Sequence, residues 1–322
     1  MAGKHTVIAF VWDFDKTLIP KYSEAPLFKH FHVEESHFWN EVNHLADFYK
    51  SKGMKNVSND TVYLNHILTY VEKGIFKNLN NKLLRELGAK IEFYNGVPKF
   101  FSALSNHIAQ NSLYQKYDLV LEHYIVSTGL YEMIAGSKIG PYVDDIWANE
   151  FIEEPASPNF LESKRLKPKI HKSITQVGYI IDNTNKTRAI YEINKGVNKI
   201  PGIDVNTIIP KDQRRVPIQN VVYIADGPSD IPSFSAVNQN GGISYGVYKP
   251  GSQKDFEQAY ELYQQGRVKF FSEADYSEGS HTFLTLQNIL DTIAKRIVSE
   301  KQIEASPIIP KSQPLPQHIP GD

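Results

Sequence analysis

Residues 6–12 form a nearly unbroken run of apolar, β-branched and aromatic side chains that stops abruptly at Asp13. A run of that length without polar alternation predicts a strand buried on both faces, as in a parallel sheet. The pattern changes over residues 23–112. Apolar residues there recur at helical spacing: Phe28, Phe31, Phe38, Val42 and Leu45, then Val62, Ile67, Leu68 and Val71, then Leu83, Leu84 and Leu87. Strand-like alternation is scarce, so this stretch reads as a helical insert. Residues 119–126 are mostly apolar again and stop at Ser127-Thr128-Gly129. A helix is expected next, then an extended piece over 146–152. Residues 177–181 read as a strand, and 184–194 as a helix that Asn183 or Thr184 would cap. Residues 221–225 form a third buried run, ending at Asp226-Gly227. Further strands are expected over 243–248 and 268–271, and helices over 255–265 and 282–300. Residues 153–172 are rich in Pro, Lys and Glu and read as an exposed loop. The chain from 305 onward has many prolines and little apolar periodicity, which predicts disorder.

Strands alternating with helices predict an α/β fold with a doubly wound, mostly parallel sheet. In such sheets ligands bind beyond the carboxyl ends of the strands. The expected organisation is a discontinuous core (1–20 and 119–303), a helical unit between its two pieces (21–118) and a Pro-rich tail (304–322). The chain has 322 residues, 41% of them hydrophobic, enough for a large core. Its formal net charge is -1, without the basic clustering that a nucleic-acid surface needs. No apolar run is long enough to cross a bilayer, and the start lacks a signal-peptide core. A soluble, cytoplasmic protein without nucleic-acid or membrane partners is the expectation. The absence of cysteine excludes disulfides, thiolate catalysis and Cys-ligated metals.

Four short elements carry chemistry. In Asp13-Phe14-Asp15-Lys16-Thr17, two carboxylates lie two residues apart just past the first strand. Crowded together they would raise one another's pKa, and a hard divalent cation such as Mg²⁺ would relieve that. The plainer reading is a turn or helix cap. Ser127-Thr128-Gly129 offers a hydroxyl and the backbone N–H groups of a glycine turn opening a helix, an anion site, or merely a capped helix. Lys186 falls in the first turn of an expected helix, where a cation opposes the helix dipole unless an anion is bound. Arg188 is the nearest substitute, and a solvated lysine is the ordinary alternative. In Asp226-Gly227-Pro228-Ser229-Asp230, Asp226 offers a further metal oxygen. Gly227 would allow close backbone approach, and Asp230 would orient the metal ligands from behind. A turn and N-cap is the alternative.

The order of these elements resembles the haloacid dehalogenase superfamily of phosphohydrolases. The resemblance covers about 6–20 and 119–272, and the insert only by position. The Ser127-Thr128-Gly129 and Ala148-Asn149-Glu150 elements are most similar to the phosphoserine phosphatase branch. The resemblance implies a Rossmann-like core with a helical cap inserted after the first strand. It also implies phosphate-ester hydrolysis with Asp13 as nucleophile and Asp15 as general acid and base. Mg²⁺ would be held by the Asp13 carboxylate, the Asp15 carbonyl and Asp226, and phosphate by Ser127, Thr128, Gly129 and Lys186. The partner implied is a small phosphorylated molecule. Three positions depart from the branch: Thr128 for glycine, Ser229 for asparagine, and Tyr22 where serine-specific members place a glutamate. The last predicts weak selectivity for phosphoserine, unless Glu24 substitutes. Transfer to an acceptor other than water, and a phosphate-binding regulator of low turnover, are the competing readings. The insert histidines His30, His32, His37 and His44 suit no single metal-binding face. Phe28, Phe31, Phe38 and Trp39 read as core.

Overall fold

The computed structural model describes residues 5–161 and 173–305. A seven-stranded sheet organises them: β1 (Val7–Trp12), β2 (Val120–Leu130), β3 (Asp145–Ile152), β4 (Gln176–Tyr179), β5 (Val221–Ala225), β6 (Ile243–Tyr248) and β7 (Phe270–Glu273). Their spatial order is β4-β3-β2-β1-β5-β6-β7. All neighbours pair in parallel except β3 and β4, which are antiparallel.

β1 is apolar throughout because both of its faces are covered. Ile8, Phe10 and Trp12 join one core, and Val7, Ala9 and Val11 the other. β5 divides the same way, Val222 and Ile224 against Val221, Tyr223 and Ala225. The first layer is built by α5 (Lys99–Gln110), α6 (Ser112–Lys116) and α11 (His281–Ala305). The Trp12 ring lies 5.0 Å from Phe101 and 5.9 Å from Phe100. The second layer is built by α8 (Asn185–Lys195), α9 (Ile231–Gln239) and α10 (Gln253–Gln264). Burying one such side chain is worth about 1.5–3 kcal/mol, which holds the central strands in register.

Between β1 and β2 lie α1 (Ala25–His30), α2 (Glu35–Ser51), α3 (Val62–Glu72) and α4 (Asn81–Gly88). Phe28, Phe38, Tyr70 and Phe76 are buried there, with the Phe28 and Phe38 rings 4.7 Å apart. The helical spacing read from the sequence is the apolar side of these helices. Phe31 and Trp39 are partly buried against the same core. His30, His32, His37 and His44 are all exposed. The sequence interval 21–118 also contains α5 and α6, but these helices pack on the sheet, not among α1–α4. A short helix, α7 (Tyr131–Ala135), follows β2 and packs on α4.

Three local expectations are corrected. Ser127-Thr128-Gly129 does not form a turn opening a helix. It is the end of β2, where pairing with β3 shifts register between Val126 and Leu130. Thr184 occupies the N-cap position of α8, but its side chain makes no capping hydrogen bond. The Asp182 carboxylate accepts from the N–H groups of Thr184 (2.8 Å) and Asn185 (2.7 Å), and as an anion it complements the helix dipole better than a neutral cap. Helix α11 runs through 304 and 305, which the sequence assigns to the tail. The rest of the tail, and 162–172 of the loop, lie outside the described residues.

Among the described residues, no helix is long and apolar enough to cross a membrane.

Candidate active site

β1 sits between β2 and β5, and the four chemical elements gather beyond the carboxyl ends of these strands. Asp13 leaves β1 with its N–H bonded to the Ile224 carbonyl of β5 (2.9 Å). The chain then turns at once. The Phe14 carbonyl accepts from Thr17 (3.3 Å) and Leu18 (2.9 Å), with Lys16 in the left-handed region at φ 59°.

Lys186 is buried, with its ammonium 2.7 Å from Asp13 Oδ1 and 2.9 Å from Asp230 Oδ1. Both carboxylates keep it protonated, outweighing the burial that pulls an ammonium's pKa down. Thr17 Oγ1 lies 3.2 Å from Asp13 Oδ2. Asp230 accepts from Tyr223 (2.6 Å), Lys186 and Ser229 (2.9 Å). Tyr223 had no reading in the sequence beyond a strand residue.

Carboxylate oxygens of Asp13, Asp226 and Asp230 lie within 4.8 Å of one another. Burial pushes Asp13 up to about 6, with Lys186 resisting and Asp230 adding to the rise. Burial, then Asp13 and Asp230, holds Asp226 well above the usual carboxylate range. Lys186 and, on the Asp226 side, Lys16 only partly offset the crowding of these acids, and a divalent cation would relieve the rest. The donors are hard oxygens of the kind Mg²⁺ prefers. Asp230 belongs to this cluster, unlike the Asp15 carboxylate.

The Asp15 side chain turns toward the insert. The Ser23 N–H donates to Asp15 Oδ1 (2.8 Å), and Ser23 Oγ lies 3.4 Å from Asp15 Oδ2 and equally far from Glu24 Oε2. Burial, followed by the charges of Glu24 and Asp13, raises Asp15 well above its ordinary value. Glu24 is 2% exposed, and burial pushes it up to about 7. Tyr22 is 40% exposed, its ring 5.0 Å from Trp39 and tilted against it, with Lys16 Nζ 4.6 Å over its ring. Glu24, rather than Tyr22, places a buried carboxyl near Asp15. Ser23 is a second residue of this site that the sequence reading passed over.

Ser127 is fully buried and accepts from the Gly129 N–H (3.0 Å). A Cβ on Gly129 would stand 2.7 Å from Ser23 Oγ, 3.3 Å from Ser127 Oγ and 3.6 Å from Asp15 Oδ2. Only glycine leaves that space open, between the acid pair and the strand end. Gly227 is different. Its φ of -158° is ordinary extended backbone, and a Cβ there would meet only the end of the Gln258 side chain at 3.0 Å.

Glu24 gives a stability prediction. Its native pKa is raised from 4.5 to about 7, so from pH 4.5 to 7 the native state holds a proton that the unfolded chain has lost. Stability then falls with rising pH, by about 3 kcal/mol in all. In metal-free protein, Glu24→Gln is expected to raise the urea midpoint at pH 8 and to change it little at pH 4.5. Equal shifts at both pH values would show that Glu24 is not a strained buried acid.

A protein of Borreliella burgdorferi (strain ATCC 35210 / DSM 4680 / CIP 102532 / B31), described only as uncharacterized, is 39% identical over 288 residues, spanning 88% of this chain and 96% of that one. The chain belongs to that protein's family. No family model matches it. Among solved structures, it is similar to a haloacid dehalogenase (HAD) family hydrolase of Salmonella enterica subsp. enterica serovar Typhi, with a TM-score of 0.47, 10% identity, and 83% of this chain and 67% of that one covered. It is also similar to a substrate-bound phosphoserine phosphatase, with a TM-score of 0.46, 16% identity, and 88% and 97% covered.

Proposed function

We propose that this protein is a phosphatase of the haloacid dehalogenase type, acting on a small phosphate ester through a phosphorylated Asp13. The observation that supports it most is a buried carboxylate, Asp13, at the end of the central strand. It is clamped by a buried ammonium and bordered by a second acid, Asp15, that burial keeps available for a proton.

In the first half-reaction an Asp13 oxygen attacks phosphorus and the ester P–O bond breaks. Asp15 gives its proton to the departing oxygen, a poor leaving group without it. In the second, Asp15 takes a proton from water, the water oxygen attacks the phosphoryl group, and the bond to Asp13 breaks, releasing phosphate. Lys186, Ser127 and the N–H groups near Thr128 and Gly129 balance the negative charge on the phosphoryl oxygens. Asp13, the Asp15 carbonyl and Asp226 would hold Mg²⁺, which when bound supplies Lewis-acid charge neutralisation. Asp230 holds Lys186 in place. The insert covers the crevice and selects the leaving group.

Hydrolysis of an aryl phosphate, followed by released phosphate, tests this reading. Rates are expected to fall more than about tenfold in excess chelator, to return with Mg²⁺, and to be inhibited by Ca²⁺, whose looser coordination suits an in-line transfer poorly. Undiminished turnover in chelator would reject the metal assignment, and phosphate-ester consumption without phosphate release would favour another acceptor.

Glu24 supports a second reading of the leaving group, an ester carrying an ammonium. A buried carboxyl beside the general acid would pair with such a cation, and a site built so discriminates strongly. Glu24→Gln is then expected to lower kcat/KM for O-phosphoserine by roughly a hundredfold, leaving a neutral aryl phosphate within about threefold. Equal effects on both esters would remove the cation from the substrate.

A further inference from the structure

Tyr63 lies on α3, a helix of the insert, yet its side chain ends inside the site. The ring is 5% exposed. Its hydroxyl donates to the Thr128 carbonyl at 2.5 Å and accepts from Asn149 Nδ2 at 3.2 Å. The Asn149 amide also donates to the Thr128 carbonyl, at 2.5 Å, and its Oδ1 accepts from the Ile181 N–H at 2.8 Å. Next to Ile181 is Asp182, which caps the helix carrying Lys186. A chain of hydrogen bonds thus runs from the insert, through the end of β2, to the helix of the buried ammonium.

We propose that Tyr63 is a positioning residue, a latch through which the seated insert fixes the orientation of the phosphate-binding strand end. The argument rests on the phosphatase reading for its functional meaning, but the latch itself is a matter of geometry. The Thr128 carbonyl and the Gly129 N–H belong to one peptide unit, and that unit is planar. Holding the carbonyl from one side therefore fixes where the N–H points on the other. The Gly129 N–H points to Ser127 Oγ and stands beside the space next to Asp15.

This segment needs such a hold. β2 loses its register with β3 between Val126 and Leu130, so the regular ladder does not set the Thr128 peptide. Side chains do so instead, one from the sheet and one from the insert. Burial and the nearby charge of Glu24 keep the Tyr63 hydroxyl protonated, so it remains a donor. Trp39, 5.7 Å from the Tyr63 ring, packs in turn against Tyr22 at the outer edge. Displacing the insert would withdraw Tyr63 and leave Asn149 as the one side chain of the pair still holding the carbonyl. Phosphate affinity would then depend on whether the insert is seated.

Tyr63→Phe keeps the ring and removes only the hydroxyl. The test combines two measurements on full-length protein. The first is amide hydrogen exchange across residues 126–130, which needs no catalysis. Exchange at Gly129 is expected to quicken at least about tenfold in the variant, while central β1 amides stay as protected as before. The second is the inhibition constant of inorganic phosphate against an aryl phosphate, expected to weaken by about tenfold. Asn149→Ser should weaken it too, and the double variant by less than the product of the two.

Unchanged exchange at Gly129 would overturn the latch. So would unchanged phosphate inhibition in an active enzyme, or equal loosening of β1 and Gly129, which would mean a general loss of stability. If the wild-type protein neither hydrolyses phosphate esters nor binds phosphate, the phosphatase reading fails, and the exchange measurement alone decides whether Tyr63 holds the strand end.

Discussion

Asp13→Asn is expected to reduce phosphate-ester turnover by at least about a thousandfold, below the detection limit of an ordinary phosphate assay. The substitution is nearly isosteric. An amide oxygen can still accept from Lys186, but it cannot attack phosphorus and carry the phosphoryl group. The fold should survive, because β1 is held by apolar packing on both faces and by the Asp13 N–H bond to Ile224. Removing one negative charge from a crowd of buried acids also relieves repulsion. Acid-quenched wild-type enzyme should show a phosphoryl mass increment on the peptide containing Asp13, and the variant none. Turnover within tenfold of wild type, in a sample whose circular dichroism is unchanged, would rule out a covalent role for Asp13.

Lys186→Met should cost about 3–5 kcal/mol of stability at pH 8 in metal-free protein, a large part of what a domain has. The ammonium is buried between Asp13 and Asp230, so its loss leaves both carboxylates buried without a cation. The sign of the pH effect follows. Without Lys186 the Asp13 pKa, already about 6, rises further, so the native state binds protons that the unfolded chain releases. Stability must then recover as pH falls. Urea midpoints measured at pH 8 and pH 5.5 should differ much more in the variant than in the wild type. Should the variant not fold at pH 8, Lys186→Arg, which keeps the charge, should fold and still lose most activity. A loss of stability independent of pH would place the cause in packing.

The strands were legible because their chemistry is extreme. Residues 221–225 are a short apolar run and 243–248 alternate β-formers with Ser244 and Gly246, both between turn residues, and they are the bounds of β5 and β6. Lys186 was legible as a position but not as an environment. Nothing in one sequence says that a lysine in a first helical turn is buried between two aspartates, a fact made by strands and helices distant along the chain. The capping side chain of α8 was misplaced because Asp182, Asn183 and Thr184 are all capping residue types, and the choice among them depends on how the chain leaves β4. Ser127-Thr128-Gly129 was misread as a turn because the glycine suggests one. In the fold that glycine instead leaves space beside Asp15. Tyr63 was beyond reach, since its partner Thr128 is on a strand 65 residues away, and its spacing matches a core residue of an amphipathic helix.

The far ends of β3 and β4 have a consequence for access. β3 continues past the last residue of β2, and its final residues pair only with β4. This two-stranded arm is tied to the insert. The Ile174 N–H donates to the Leu79 carbonyl at 2.8 Å, Asn81 Nδ2 donates to the Phe151 carbonyl at 3.0 Å, and the Asn81 N–H donates to the Glu153 carboxylate at 2.6 Å. If arm and insert cover the proposed site, a ligand enters either when the two swing out as one body or when those bonds part first. The two routes leave different kinetic signatures, since weakening the tie by Asn81→Ala speeds exchange of ligand along the second route and leaves the first unchanged.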